Sequence, residues 1–243
     1  MTTNRDTIYS QTLGDPGLFT FNEDVVGVFP DMINRSVPGY ATVISMTGLM
    51  AARHARAGTC IYDLGCSLGA SLLAAARQLP CQQCQLIGVD NSSAMLAAAR
   101  STLEQEMPEV PVELIEQDIL DLSLRPASVV ILNYTLQFVP VTSRLILLEK
   151  IRDALRPGDA LILSEKIKLD SPGMDEYMIA MHHNFKRAQG YSDLEIAKKR
   201  QALENVLIPE TLPTHRERLS KAGFSDCSTW FQCFNFASMI AIA

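Results

Sequence analysis

Short apolar runs alternate along the chain with longer stretches in which apolar residues recur at helical spacing. The runs predict five strands, at residues 60–64, 85–89, 112–116, 128–132 and 160–164, the first of them buried. The stretches after Gly69, Ser92 and Thr142 carry apolar residues every three or four positions, which is typical of helices packed on a sheet. Because strands alternate with helices, we expect an α/β fold with a mostly parallel sheet and helices on both faces.

The flanking regions predict further helices and two closing strands. On the N-terminal side, residues 31–40 have the composition of a loop, and residues 41–56 form a predicted helix that Gly58 ends as a C-cap. Helical patterns at 174–187 and 192–206 lie in an insertion at 168–210, and a helix at 214–222 leads to strands at 224–231 and 234–242. We therefore expect a single α/β domain over 1–243 with a seven-stranded sheet, an N-terminal helical cover at 1–58 and the insertion as a helical lid.

The turn after the first predicted strand is the first candidate site. It has the pattern D-x-G-x-S-x-G, which begins at Asp63 and ends at Gly69. Gly65 lets the backbone turn sharply and lets a ligand approach closely, and a helix N-terminus follows. Asp90 ends the second strand about 20 residues further on, where a ribose-binding carboxylate is expected. This arrangement is typical of a cofactor site in an open α/β sheet.

The residues of this turn favour S-adenosylmethionine (SAM) over a dinucleotide. A dinucleotide site needs bare backbone against the pyrophosphate, and here Ser67 occupies the position of the middle glycine. SAM has no phosphate and carries a positive charge, so the acidic Asp63 suits it better than an anionic ligand. The pattern resembles the first motif of class I SAM-dependent methyltransferases, whose fold is Rossmann-like. The alternative is an α/β turn that binds no ligand.

Polar residues also stand at the ends of the second, third and fourth predicted strands. Asp90 would accept hydrogen bonds from both ribose hydroxyls, or it is an acid that stabilises the dipole of the next helix. Asp118 would accept from the adenine amino group while the Ile119 N–H bonds the ring, or it forms a turn. Asn133 either faces the ligand or caps local backbone. Because the carboxyl ends of parallel strands share one edge of the sheet, we expect these residues to meet in one crevice.

Arg200 is the charged residue that the helical pattern predicts to face inward. It follows Ile196 by four positions and precedes Leu203 by three, so it shares their face, whereas Lys198 and Lys199 are predicted to point elsewhere. A guanidinium on a buried face needs an anionic partner. The alternative is that Arg200 extends past its own apolar stem into water.

Composition and charge narrow the functional classes. The net charge of −6 over 243 residues disfavours direct binding of nucleic acid, because such proteins neutralise phosphates with a basic face. The N-terminus has no apolar signal core and no apolar run approaches the ~18 residues of a membrane span, so we expect a cytoplasmic protein without membrane contact. Of the six cysteines only Cys81 and Cys84 are spaced as a pair, which disfavours a zinc or thiol-redox role. We expect no metal, and we expect His182 and His183 to be core or interface residues.

The sequence as a whole resembles the carboxy-S-adenosyl-L-methionine synthases of bacterial wobble-uridine modification. The resemblance covers nearly the whole chain, and its motifs are more specific than those of methyltransferases in general. They include YDLGCSLG at 62–69, NYTLQF at 133–138, MHHNFKR at 181–187 and WFQCFNF at 230–236, together with residues 28–40, 190–192 and 203–205.

The resemblance implies a homodimer that binds SAM but does not methylate. Such a protein uses prephenate as carboxyl donor and yields carboxy-SAM and phenylpyruvate, and a partner tRNA carboxymethyltransferase then modifies the wobble uridine. By motif, the SAM contacts fall on Tyr40, Gly65, Cys66, Ser67, Asp90, Asn91, Asp118, Ile119 and Asn133, and the arginine that pairs with the new carboxylate falls on Arg200. Two rival functions are a conventional SAM-dependent methyltransferase and a non-catalytic SAM-binding partner subunit.

Overall fold

A central β-sheet organises the structure, a computed structural model that describes residues 4–10, 22–79 and 84–243. The strands of these residues are, in chain order, β1 Cys60–Leu64, β2 Gln85–Asp90, β3 Val112–Glu116, β4 Ala127–Asn133, β5 Leu155–Lys168, β6 Glu210–Thr211, β7 Asp226–Cys233 and β8 Phe236–Ile242. They lie in the order β3-β2-β1-β4-β5-β8-β7, and the short β6 pairs with β5.

The sheet is parallel except at one strand. Strands β1 to β5 pair in parallel, whereas β8 runs antiparallel between β5 and β7. The predicted α/β class is therefore confirmed, with the seven expected strands and β6 as a small addition. The carboxyl ends of β1, β2, β3 and β4 share one edge, which brings the predicted site residues to the same side of the molecule.

Helices cover both faces of the sheet and one of its edges. Those described are α1 Glu23–Val26, α2 Phe29–Ser36, α3 Tyr40–His54, α4 Ala70–Gln78, α5 Ser93–Glu106, α6 Arg144–Ala154, α7 Pro172–Ala188, α8 Asp193–Leu203 and α9 Leu212–Lys221. Two short 3-10 helices, Leu136–Phe138 and Val141–Ser143, precede α6. None of the described helices is both long and apolar enough to span a membrane.

Alternate residues of the central strands face two separate hydrophobic cores. In β1, Tyr62 belongs to one core and Ile61 to the other. Helices α6 and α9 complete the first core with Leu147 and Leu219, and α4 completes the second with Leu72. Because helices cover both faces, β1 is buried along its whole length, which explains why its sequence is a nearly continuous apolar run.

Two predictions for the N-terminal region are wrong. The expected loop at 31–40 contains most of α2, because Pro30 lies in the first helical turn, where its missing N–H and fixed φ are tolerated. Gly58 does not cap α3, which ends at His54 with Ala55 already outside the αR region. Instead Gly58, with φ of +75°, makes the turn into β1.

Residues 156–159, whose sequence Arg-Pro-Gly-Asp is typical of a turn, lie within β5. Leu155 already pairs with Ala127 of β4, and a shift in register separates this pair from the one between Ala160 and Val129. Gly158 has φ of +89° inside this irregular stretch. The turn chemistry of the sequence therefore produces a local irregularity in the strand instead of ending it.

The N-terminal segment packs against the inserted helices at the carboxyl edge of the sheet. Arg35 of α2 donates a hydrogen bond through Nε to the Gln189 carbonyl at 2.8 Å. Its guanidinium carbon also lies 3.9 Å from the centroid of the Tyr191 ring. On the other side of the insertion, the rings of His182 and Phe236 lie 4.9 Å apart, so α7 covers the start of β8 and the adjoining end of β5.

Candidate functional site

The loop after β1 lies tightly against its neighbours at the carboxyl edge. Gly65 has φ of +78°, and a Cβ built there would lie 2.4 Å from Thr135 Oγ1. The N–H groups of Gly65 and Cys66 both donate to the Val89 carbonyl, at 2.8 and 3.0 Å. A side chain at Gly65 would therefore push the loop off the sheet, which is the physical reason for glycine at this position.

Asp90 connects this loop to the loop after β2. Its Oδ2 accepts a hydrogen bond from the Ser67 N–H at 2.8 Å, and its Oδ1 accepts from the Ser92 N–H at 3.0 Å. The side-chain cap of α5 is Ser92, whose Oγ accepts from Met95 N. Each Asp90 oxygen retains a second lone pair, so the carboxylate can hold the two loops and still accept from two hydroxyls.

Burial raises the pKa of Asp90, while hydrogen bonds from the N–H groups of Ser67, Ser92 and Asn91 act in the opposite direction. Asn91 itself is exposed next to this carboxylate, whereas Cys66 is buried. Burial raises the pKa of the Cys66 thiol, and the charges of Asp63 and Asp90 raise it further. The Cys66 side chain is therefore a neutral packing group beneath the loop.

Asp63 is the most strongly perturbed acid of the site. It is 2% exposed, and the described part of the chain provides no hydrogen-bond donor to its carboxyl group. Burial, and secondly the charge of Asp90, raise the pKa of Asp63 to about 8. A buried acid without a donor is costly to ionise, so a cation bound above the loop would be a favourable partner for its charged form.

We predict that SAM binding depends on pH through Asp63. In the free protein this carboxyl is mostly protonated at neutral pH, because its pKa is about 8. A bound sulfonium or ammonium group favours ionisation, so SAM affinity should rise with pH up to about 8 and then level off, with at most about tenfold per pH unit. Titration calorimetry in buffers of different ionisation enthalpy should show a proton released on binding.

The control for this prediction is Asp63→Asn, which should abolish the additional pH dependence and the proton release. In the free protein the raised pKa of Asp63 also makes the stability of the fold depend on pH, but in the opposite direction to SAM affinity. The stability associated with this group is present at low pH and lost as the pH rises through about 8. An unchanged pH profile in the Asn variant would assign the titration to SAM itself and contradict the prediction.

The third strand end places Asp118 and Ile119 at the same edge. Asp118 is exposed, and its Oδ1 accepts a hydrogen bond from Leu120 N at 2.8 Å. The turn-forming role considered for Asp118 is therefore present, and Oδ2 is the oxygen that remains for an adenine amino group. Ile119 is buried, which leaves its backbone as the group that a ring could reach.

Asn133 is engaged by side chains from three other elements. Its Nδ2 donates to Ser71 Oγ at 3.0 Å and to Thr47 Oγ1 at 3.3 Å, and its Oδ1 accepts from Ser164 Oγ at 2.8 Å. The side chain thus cross-links α3, α4 and β5 instead of capping local backbone. The only signal of this network in the sequence is weak: each partner of Asn133 is a small polar residue within an apolar stretch.

A row of aromatic side chains extends from the loop after β1 to the insertion. Tyr40, at the start of α3, lies 6.2 Å from the Tyr134 ring, and Tyr134 lies 6.2 Å from Phe236. Burial and the nearby charge of Asp63 raise the pKa of Tyr40, so its phenol is neutral. Sequence reasoning did not assign Tyr134 or Phe236 to the site, although both lie in motifs of the family resemblance.

The predicted inward orientation of Arg200 is wrong. Arg200 is exposed, and the residues that α8 buries are Ile196, Lys199 and Ala202. Lys199 occupies the inner face because its charge has partners there. Its Nζ donates to Ser36 Oγ at 3.1 Å and lies 3.9 Å from Asp6 Oδ2. The carboxylate that offsets the cost of burying the Lys199 ammonium is that of Asp6, in the N-terminal segment and distant in sequence.

Arg200 nevertheless lies beside other cationic groups of the insertion. The pKa of Lys166 is lowered by burial and then by the charge of Arg200. The pKa of His183 is lowered by burial, then by the charges of Lys186 and Arg200. His182 is buried, its Nε2 lies 2.8 Å from the Ser36 carbonyl, and burial lowers its pKa to about 3. This geometry fits a neutral core histidine.

The cysteine pair falls partly outside the described residues, because Cys81 is among those not described. Cys84 is buried, and its Sγ lies 3.1 Å from the Arg56 carbonyl. Across the ranges 4–10, 22–79 and 84–243, no group of three or more His, Cys, Asp or Glu side chains is placed to hold a metal ion.

The fold has relatives of one class. The family description "Methyltransferase domain" matches residues 61–158. An O-methyltransferase family protein from Burkholderia thailandensis has 19% identity and a TM-score of 0.64, covering 91% of this chain and 60% of its own. A putative O-methyltransferase from Nostoc punctiforme has 16% identity and a TM-score of 0.63, covering 94% of this chain and 64% of its own. This chain, which spans under two thirds of those longer proteins, has the class I SAM-dependent methyltransferase fold.

Full-length relatives narrow the class to one family. Carboxy-S-adenosyl-L-methionine synthase from Geobacter metallireducens is 54% identical over 243 residues, which is 100% of both chains. The protein of the same name from Geobacter sp. strain M21 is 53% identical over 99% of both chains. That from Aliivibrio fischeri strain ES114 is 50% identical over 98% of this chain and 99% of its own. The chain belongs to the carboxy-S-adenosyl-L-methionine synthase family.

Proposed function

We propose that this protein converts SAM and prephenate to carboxy-SAM and phenylpyruvate. The observation that carries the proposal is the 54% identity over the whole length with a relative that bears the name of this activity. The match includes the N-terminal segment and the insertion at 168–210, which lie outside the residues matched by the general methyltransferase description. These regions cover the carboxyl edge, where a second substrate would bind beside SAM.

In this proposal the carboxyl edge holds SAM. Asp90 binds the ribose hydroxyls, and Asp118 with the Ile119 N–H binds adenine. The positive end of SAM lies near Asp63. The other contacts proposed for SAM are Tyr40, Gly65, Cys66, Ser67, Asn91 and Asn133. Since the Asn133 amide is engaged by three side chains, its contribution would be to fix the strand end.

The proposed reaction needs no protein base. Prephenate loses carbon dioxide and hydroxide as its ring becomes aromatic, which leaves phenylpyruvate. The hydroxide removes a proton from the SAM methyl group, whose C–H bonds are acidified by the adjacent sulfonium, and water forms. The resulting ylide carbon then bonds to carbon dioxide and gives carboxy-SAM. The protein would supply proximity and exclusion of water, so that neither the ylide nor carbon dioxide is lost.

We further propose that the protein acts as a cytoplasmic homodimer in which Arg200 pairs with the new carboxylate. Methyl transfer removes a positive charge from SAM, whereas carboxylation adds a negative charge that requires a partner. Arg200 is exposed in the single chain, so a second subunit that excludes water around it would strengthen the pair. Carboxy-SAM would then pass to a tRNA carboxymethyltransferase, which supplies the RNA contacts that this acidic chain does not favour.

Replacing Arg200 with alanine should separate the two ligands. We expect carboxy-SAM affinity to fall by about ten- to a hundredfold, the loss of a charge-assisted pair, while SAM affinity changes by less than about threefold. Calorimetry with both ligands measures the difference. Arg187→Ala is the matched control, because Arg187 is an exposed arginine paired with Asp193 at 2.7 Å. An equal loss for both ligands would reject the assigned role.

The proposed activity is tested by mixing the purified protein with SAM and prephenate labelled with ¹³C in the ring carboxylate. Mass spectrometry should show a labelled product that is one carbon dioxide heavier than SAM, formed in equal amount with phenylpyruvate. S-adenosylhomocysteine as the product would indicate a conventional methyltransferase. SAM binding without conversion would indicate a non-catalytic subunit.

A further inference from the structure

Positive charges outnumber their partners between the insertion and the end of β5. Lys186 of α7 is only 8% exposed, and Lys166 lies half-buried near the end of β5. Within the described ranges, neither ammonium group has a hydrogen-bond acceptor or an ion-pair partner. Lys186 lies three positions after His183 and four after His182, so these three side chains share one face of α7.

The neighbouring carboxylates are committed elsewhere. Asp6 accepts a hydrogen bond from Tyr191 OH at 2.5 Å and pairs with Lys199 at 3.9 Å. Asp175 accepts from the Leu169 N–H at 2.9 Å. Arg35 is matched by Asp31 at 2.9 Å. Two lysines, with Arg200 near them, therefore remain without a matching anion.

Burial and neighbouring positive charges lower the pKa of both lysines. Burial lowers the pKa of Lys186 to about 7, with the charges of Lys199 and Lys166 as the next causes. Burial, and then the charge of Arg200, lower the pKa of Lys166. A folded protein that gathers unmatched cations in a buried place loses stability by doing so. A bound anion would remove that cost.

This cationic cluster adjoins the proposed SAM site. Lys166 stands opposite Phe236 in the pairing of β5 with β8, and the Phe236 ring lies 6.2 Å from Tyr134. Two residues before Lys166, Ser164 donates to the Asn133 amide at 2.8 Å. The cluster is therefore the continuation of the carboxyl edge beyond β4, where an anionic second substrate would lie next to SAM.

We propose that Lys186 and Lys166 bind the side-chain carboxylate of prephenate, the carboxylate that phenylpyruvate retains. The inference rests on the proposed function, because it names the residues that hold the second substrate. Prephenate is a dianion, and its two carboxylates have opposite requirements. The ring carboxylate must release its electrons to the ring as carbon dioxide leaves, so a tight pair with two cations would stabilise the ground state and slow the reaction. The retained carboxylate has no such requirement and serves as the anchor.

The test measures the KM for prephenate and the inhibition constant of phenylpyruvate in the variants Lys186→Met and Lys166→Met. With saturating SAM, we expect the KM for prephenate to rise by about ten- to a hundredfold in each variant, with SAM affinity within about twofold of wild type. Product inhibition by phenylpyruvate should weaken by the same factor, because phenylpyruvate keeps the anchoring carboxylate. Lys168→Met is the matched control, since it removes one charge from an exposed position of the same strand, and it should leave both constants unchanged.

Three results would overturn the inference. The first is an unchanged KM for prephenate. The second is a raised KM with normal inhibition by phenylpyruvate, which would assign the lysines to the ring carboxylate. The third is an equal loss of SAM affinity, which would assign them to the methionine carboxylate of SAM. Thermal melting controls for folding, and because Lys186→Met removes an unmatched buried charge, its melting temperature should not fall. Failure of the wild-type protein to make carboxy-SAM would instead contradict the proposed function.

Discussion

Replacing Asp90 with alanine is expected to weaken SAM binding by about a hundredfold or more. In the proposed complex two ribose hydroxyl groups donate hydrogen bonds to the Asp90 carboxylate. Hydrogen bonds to a charged acceptor contribute about 1.5–3 kcal/mol each. The change also leaves the N–H groups of Ser67 and Ser92 without their acceptor, which lies at 2.8 and 3.0 Å in the native protein. The loop after β1 would lose its link to the loop after β2. Titration calorimetry with SAM measures the effect.

The matched control for this variant is Asp121→Ala. Asp121 is an exposed aspartate of the same carboxyl edge, so the control removes the same charge without touching the two loops. Its SAM affinity should stay within about twofold of wild type. If Asp90→Ala bound SAM as tightly as this control, the carboxylate would serve only to join the loops, and ribose binding would need another residue.

Replacing Arg144 with methionine is expected to destabilise the fold by about 3–5 kcal/mol, the usual cost of breaking a buried ion pair. Arg144 is fully buried and pairs with Glu210. It also donates to the carbonyls of Val139, Gln137 and Ile208, at 2.9, 3.1 and 2.9 Å. Methionine would fill most of the volume but remove all of these donors. The Val139 and Ile208 carbonyls would lose the Arg144 bonds, whereas the Gln137 carbonyl keeps the Ile208 N–H at 3.0 Å and Glu210 keeps its ion pair with Arg218.

Urea unfolding measures this loss, and Arg152→Met is its control. Arg152 lies on the same helix and donates to the Gly223 carbonyl at 2.8 Å and to the Leu155 carbonyl at 3.2 Å. It is not buried as Arg144 is and has no ion pair among the described residues, so its loss should cost about 1 kcal/mol. Because Arg144 holds the segment after β4, and Thr135 of that segment packs against Gly65, weaker SAM binding should accompany the instability. Equal stability of the two variants would show that water replaces the network.

The alternation of strands and helices along the chain, and the ends of several strands, could be predicted from sequence. The apolar run at 60–64 has the same limits as β1, which is buried along its whole length. The predicted strand at 112–116 has the limits of β3, although β3 lies at the edge of the sheet, is only partly buried and contains Glu113. Each run ends where its strand reaches the carboxyl edge. The same rule located Asp90, Asp118 and Asn133. Polar residues that directly follow such runs must lie at the carboxyl edge, whatever the packing around them.

The orientation of the inserted helix could not be predicted in this way. Apolar spacing in α8 predicted Arg200 as the inward charge, but Lys199 is as close in sequence to Ile196 and Leu203, and it is Lys199 that is buried. That choice depends on Asp6 and Ser36, which pair with Lys199 across more than 160 positions of sequence. The role of the Asn133 amide was undetermined for the same reason, since its partners come from α3, α4 and β5.

The local pattern of apolar and polar residues thus determined where the strands and helices lie along the chain, because burial within one strand or helix follows a fixed period of the backbone. The tertiary structure decided which charges are buried, which amides are engaged and where cations collect without partners. Those outcomes depend on the desolvation of each polar group and on the partner that meets it. That partner comes from an element distant in sequence, so no local period can encode it.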